Sequence, residues 1–83
     1  MQYVIAVYRS RNVSMQAYNF LLRNGIVAAL VSTPRSINVG CGLSVKFAYS
    51  NLSAVSNVLS QGETFVGFFL VKNTLNGTTV SRL

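Results

Sequence analysis

Apolar residues fall into four short blocks, separated by two stretches with helical spacing. The first block, Tyr3-Val4-Ile5-Ala6-Val7-Tyr8, is β-branched and aromatic without polar alternation. It predicts a central strand buried on both faces. Ser10 or Asn12 can then cap a helix, in which Val13, Ala17, Phe20 and Leu21 recur at i, i+4, i+7 and i+8. Gln16, Asn19 and Arg23 occupy its other side, and Asn24-Gly25 ends it, because glycine at C′ takes the left-handed conformation. Ile26 to Val31 is a second strand, closed by Ser32-Thr33-Pro34, since proline has no donor for the ladder. Leu43-Ser44-Val45-Lys46-Phe47 alternates strictly and predicts a strand with Leu43, Val45 and Phe47 on its one buried face. A second helix starts near Ser50-Asn51, carries Leu52, Val55 and Leu59 inward, and stops at Gln61-Gly62. Phe65 to Val71 is the last core strand, apolar on both faces apart from Gly67.

The order β-α-β-β-α-β predicts an α+β, ferredoxin-like sandwich: a four-stranded antiparallel sheet with two helices on one face. Residues 1–72 make this single domain. Residues 73–83 are a polar C-terminal tail, either disordered or folded back as an extra hairpin strand through the type I′ turn signal Asn76-Gly77. Tyr3, Ile5, Val7 and the two-sided Phe65–Val71 run make more apolar surface than two short helices can cover. The expectation is a homo-oligomer formed through the open sheet face, or docking on a partner enzyme.

Composition narrows the chemistry. With 83 residues and one cysteine, the chain is one small domain without an internal disulfide, which suits a reducing, cytoplasmic setting. Histidine is absent and Glu63 is the only acid. There is thus no carboxylate pair, no Cys-His dyad and no protein-only metal site, so neither a self-contained enzyme nor a cofactor is expected. The longest apolar run is too short to span a membrane as a helix, and the N-terminal residues do not read as a signal peptide. A net charge of +6 attracts anionic partners. The basic residues are nevertheless scattered, with no run and no basic–aromatic interleaving, so they read as a solvated surface rather than a nucleic-acid interface.

What remains is concentrated in Pro34–Phe47, which holds the only proline and the only cysteine. Cys41 lies between Gly40 and Gly42, residues that let a backbone turn sharply and display a side chain. Pro34 shapes the loop, and Arg35 and Lys46 flank the thiol with positive charge, which favours a thiolate. The Gly40-Cys41-Gly42 amides can add an anion-binding nest. Such a thiolate can accept a sulfur or selenium atom as a persulfide or selenosulfide and pass it on, with donor and acceptor enzymes supplying the other groups. Simpler readings stand beside it. A free cysteine commonly packs as a small hydrophobe, Arg35 can be a loop-capping arginine, and the glycines can mark a β-bulge. The alternative function is then a small anion- or partner-binding module with a structural cysteine.

Pro34-Arg35, a short loop, Cys41-Gly42-Leu43 and the strand Ser44-Val45-Lys46-Phe47 resemble the bacterial selenium/sulfur carrier-like family. Tyr8-Arg9-Ser10 resembles that family's end of the first strand, and Asn24-Gly25-Ile26 its helix stop. The chain departs from the pattern in the nearly neutral segment Ser14–Arg23 and in Gly40, where a small polar residue commonly precedes the cysteine. The resemblance stops before the tail beyond Lys72. It implies a non-enzymatic carrier in which Cys41 holds the atom.

Overall fold

The computed structural model describes residues 1–83. Strand β1 spans Gln2–Tyr8 and leads into helix α1, Arg11–Arg23. Ser10 is the cap: its backbone is extended and its hydroxyl accepts a hydrogen bond from the Val13 N–H. At the other end Gly25 takes φ +73°, the Gly25 N–H donates to Leu22 O, and the Ile26 N–H donates to Leu21 O. This paired closure brings Ile26 against the core beside Leu21. It also explains why β2 begins at Ala28 and runs to Ser32 rather than starting at Ile26: the first residue of the apolar block is used to stop the helix, and Val27 after it is exposed.

Strand β3 is Leu43–Phe47. A single 3₁₀ turn, Tyr49–Asn51, precedes α2, Leu52–Leu59, which has no side-chain cap at Asn51. Its hold on the domain is packing, through buried Val55 and Leu59. Strand β4, Phe65–Thr74, is three residues longer than its apolar block, because its end pairs with β5, Gly77–Arg82.

All strand pairs are antiparallel and the order across the sheet is β2-β3-β1-β4-β5. The sheet therefore has five strands, not the four expected. The tail supplies the fifth, although its turn is not the mirror-image type that Asn-Gly signals. Leu75 and Asn76 keep negative φ, and only Gly77 reaches a positive value, +125°. No helix is long and apolar enough to cross a membrane.

The alternation of β1 divides the core in two. Val4, Ala6 and Tyr8 face the helices and pack with Ala17 and Leu21 of α1, Val55 and Leu59 of α2, and Val45 and Phe47 of β3. Both helices thus cover one face. On the other face lie Ile5 and Val7, with Val66, Phe69 and Val71 of β4. The expectation of an uncovered second face needs correction here. Ile5, Val7 and Val71 are at most 1 % exposed within the single chain. The connection between β2 and β3 folds over them and inserts Ile37, while Val80 of β5 closes the far side. Ser44, on the face of β3 opposite Leu43, Val45 and Phe47, is completely buried and exchanges a 2.6 Å hydrogen bond with the Thr33 hydroxyl. The structural reason given for self-association is thereby removed.

Two outcomes follow for stability. Ile37→Ala should cost about 2–3 kcal/mol, the lower part of the ~2–5 kcal/mol range for truncating a buried isoleucine, since Ile37 lies at the edge of the core. Urea unfolding would measure it, with a midpoint independent of protein concentration; closure by a second copy would make the midpoint rise with concentration. Tyr8 provides the second. Its hydroxyl donates a 2.7 Å bond to Leu59 O, and burial pushes its pKa from 10.0 up to about 12. The folded chain holds this proton more tightly than the unfolded one. Its contribution is complete below about pH 10, declines by at most ~1.4 kcal/mol per pH unit up to about pH 12, and then levels off. Comparing alkaline unfolding of the wild type with Tyr8→Phe isolates it, because the variant should lack this decline.

Candidate functional site

The connection from Thr33 to Gly42 is held at four points. Pro34 O accepts from the Ile37 N–H at 3.0 Å, closing a tight turn around Arg35 and Ser36. Ile37 is sunk into the second core. The Cys41 N–H donates to Tyr8 O at 2.9 Å, and the Thr33 N–H donates to Gly42 O at the same distance. Between these anchors the loop crosses the end of β1, and Gly40 makes the crossing possible. It has φ +106°, and a Cβ at this position would lie 2.9 Å from Val7 Cγ1 and 3.1 Å from Tyr8 O. Gly42 also has positive φ, +86°, but faces open space. The two glycines are therefore different: one is needed for close approach, the other only for its dihedral.

Cys41 is half-buried, and its side chain turns toward α1. Sγ lies 3.6 Å from Ser14 Oγ and 3.4 Å from Leu43 O. Ser14 is completely buried in the first turns of the helix. Its hydroxyl is 2.9 Å from Leu43 O and 3.3 Å from Ser10 O. A hydroxyl has one proton to give, so these two carbonyls and the sulfur compete for it.

The residues singled out from the sequence fall into three places. Cys41 stands beside Ser14. Pro34, Arg35, Gly40 and Gly42 line a shallow groove of about 400 Å³ together with Thr33 and Asn38. Arg35 is exposed, makes no hydrogen bond within the chain, and faces this groove, whereas the sulfur is not among the groups that line it. Lys46 is in neither place. It is half-buried on the second face, with Nζ 4.3 Å from the centre of the Tyr3 ring. Strict alternation along β3 carries it away from the loop, because Lys46 pairs with Ile5 while Ser44 pairs with Val7. Cys41 and Glu63 are the chain's only residues of the metal-ligating types His, Cys, Asp and Glu, so no protein cage for a metal can form.

Ser14 is the residue that sequence reading missed. The apolar stripe of α1 centres on Ser14, Ala17 and Leu21, at i, i+3 and i+7, rather than on Val13. A serine on the inward side of that stripe was the available signal, because a buried hydroxyl requires a polar partner.

Together these features define a class: a small α+β fold that holds one partly buried cysteine between the end of a central strand and the start of a helix. Within that class, residues 3–66 match the family described as "Putative Se/S carrier protein-like", and the chain belongs to it. The match includes α1, the thiol loop and α2, and ends at the start of β4. No curated protein and no solved structure matches the chain.

The glycine geometry is directly testable. Gly40→Ala combines an unfavourable φ with a steric overlap on β1 and should destabilise by roughly 2–4 kcal/mol, while Gly42→Ala should cost only about 1–2 kcal/mol for its dihedral. Urea unfolding ranks them. A thiol-reactive dye should also label Cys41 faster in Gly40→Ala, because that variant cannot keep the bond to Tyr8 O without displacing the loop.

Proposed function

We propose that the protein is a non-enzymatic carrier of sulfur or selenium, loaded and unloaded at Cys41 by partner enzymes. The observation that carries this reading is the position of Cys41: only partly buried, on a loop pinned to β1, with Sγ within reach of a hydroxyl, in a chain of this family. In the exchange, the Cys41 thiolate attacks the terminal sulfur of a donor persulfide. The donor's S–S bond breaks, its cysteine leaves as a thiolate, and the new S–S bond forms at Cys41. The sulfane sulfur keeps its oxidation level, so no outside oxidant is needed. A donor ending in selenium gives the selenosulfide by the same step. Neither exchange needs histidine or a carboxylate pair in this chain, which agrees with their absence.

The reading includes a cellular setting and a fold. A carrier thiol must stay free between transfers, which places it in a reducing compartment such as the cytoplasm. We read β1 to β4 and the two helices as a ferredoxin-like unit extended by β5; the strand order β2-β3-β1-β4 within the sheet supports this. We propose no homo-oligomer, since the second sheet face is filled from within the chain.

One observation favours the alternative, an anion- or partner-binding module. Arg35 offers a free guanidinium in a groove that the sulfur does not line. A single experiment separates the two. Incubation with a cysteine desulfurase and cysteine should add one sulfur atom to the intact mass, removable by reductant and absent from Cys41→Ser. An unchanged mass would reject the carrier. Gain in Cys41→Ser would reject it as well, and anion binding that depends on Arg35 but survives Cys41→Ser would favour the module.

A further inference from the structure

We infer that Ser14 is the positioning residue of the carrier thiol: its hydroxyl turns from Leu43 O to Cys41 Sγ when the sulfur loses its proton. The inference rests on the carrier reading for its purpose, but not for its physics. Ser14 is completely buried, so water does not compete for its hydroxyl. Its acceptors are fixed by the backbone of α1 and β3: Ser10 O at 3.3 Å, Leu43 O at 2.9 Å, and the sulfur at 3.6 Å.

While Cys41 is a thiol, the arrangement is satisfied without that rotation. The Ser14 hydroxyl donates to Leu43 O, its nearest acceptor, and the S–H donates to Leu43 O or to Ser14 Oγ. Removing the thiol proton changes the inventory. Sγ becomes an acceptor only, 3.4 Å from a carbonyl oxygen that it can no longer bond. Ser14 holds the one side-chain hydroxyl bonded to that sulfur, and a charged acceptor outbids a neutral carbonyl. Rotation about one side-chain bond then moves the proton to the sulfur without moving the backbone. The bond holds the sulfur at a fixed place beside the start of α1.

The location of Ser14 argues that the contact is more than packing. Ala17 and Leu21 occupy the same inward stripe of α1, and alanine would extend it with the best helix propensity and no polar atom to satisfy. The serine instead faces the one thiol in the chain.

The test is the rate at which a small uncharged alkylating agent, iodoacetamide, modifies Cys41. At a pH low enough that the thiolate is the minor form, Ser14→Ala should slow it roughly three-fold. Losing one hydrogen bond to a charged group lowers the thiolate fraction about ten-fold, and the more basic thiolate recovers about half of that on a logarithmic scale. Ser14→Thr should recover most of the rate. Circular dichroism and urea unfolding establish that each variant is folded. A purely structural serine would change the unfolding midpoint and leave the alkylation rate of the folded chain alone. Equal or faster alkylation in Ser14→Ala would overturn the inference, as would a threonine variant as slow as the alanine. If the substitutions prevent folding, the wild type suffices. On raising pH, the ¹³C resonances of Ser14 Cβ and Leu43 C=O should move together with Cys41 Cβ, and stationary Ser14 and Leu43 resonances would overturn it equally. Alkylation requires no sulfur donor, so these outcomes are independent of whether Cys41 gains sulfur from a desulfurase.

Discussion

A central strand that is apolar on both faces must be covered on both faces, and this requirement organises the molecule. Helices α1 and α2 cover one side of β1. The other side is covered by the connection between β2 and β3, which reaches across the sheet to seat Ile37 among Ile5, Val7, Val66, Phe69 and Val71. The segment that carries the thiol is therefore also a piece of the core. Its burial fixes where Cys41 emerges: after Ile37 the chain must climb back over the end of β1, and the next anchors are Gly40 against Val7 and the Cys41 N–H on Tyr8 O. A loop that only displayed a side chain would be free to move. This one is tied to the apolar core through Ile37 and to the backbone of β1 through Cys41 itself.

How much of this is legible in the sequence depends on whether a feature is periodic or singular. The strands and α1 are periodic, and their residues announce them; the stop at Asn24-Gly25 is legible because the closure needs a glycine at that position. The cover of the second face is singular. It rests on Ile37, one apolar residue in a polar stretch, and nothing in the pattern says which way an isolated isoleucine turns. The same gap led to an expected open face and to a β3 expected to have only one buried face, because both conclusions counted only regular elements as cover. Ser14 was hidden for the opposite reason. It lies on a periodic stripe, one residue from the position that a count of apolar residues selects, and its meaning depends on a cysteine 27 residues away. Sequence proximity also misled at Lys46, five residues from Cys41, since alternation along β3 places it over Tyr3 on the other face.

The site is consequently divided. The sulfur looks toward the start of α1, and Arg35 looks into a groove from which the sulfur is absent. An arginine and a thiol that look like one constellation along the chain act in two directions in the fold. The local partner of the sulfur is a neutral hydroxyl, and Arg35 is left free for whatever approaches the loop from outside. That separation suits the proposed carrier better than a self-contained catalyst: the group that touches the thiol is internal, while the exposed charge is available to a visiting protein.

The residues beyond the family match at residue 66 belong to the same solution. β4 carries a bulge beside Val7 and Tyr8, where Val66 has no partner in β1 and Gly67 stands opposite Val7. Gly67 has no Cβ, and the Arg82 guanidinium occupies the space: a Cβ there would lie 3.1 Å from Nη2. Arg82 donates to Val66 O and lies 5.6 Å from the centre of the Phe69 ring. Its long side chain thus roofs the second core beside the place where Gly40 presses on Val7. Gly40 thus presses on Val7 of β1 and Arg82 on Gly67 of β4, the two residues that stand opposite each other in the β1–β4 ladder. Shortening the chain after β4 would uncover Gly67 and Phe69, the neighbours of the residue on which Gly40 rests. The fifth strand thereby completes, through Val80 and Arg82, the second core into which the thiol loop inserts Ile37, even though it contributes no atom to the sulfur's surroundings.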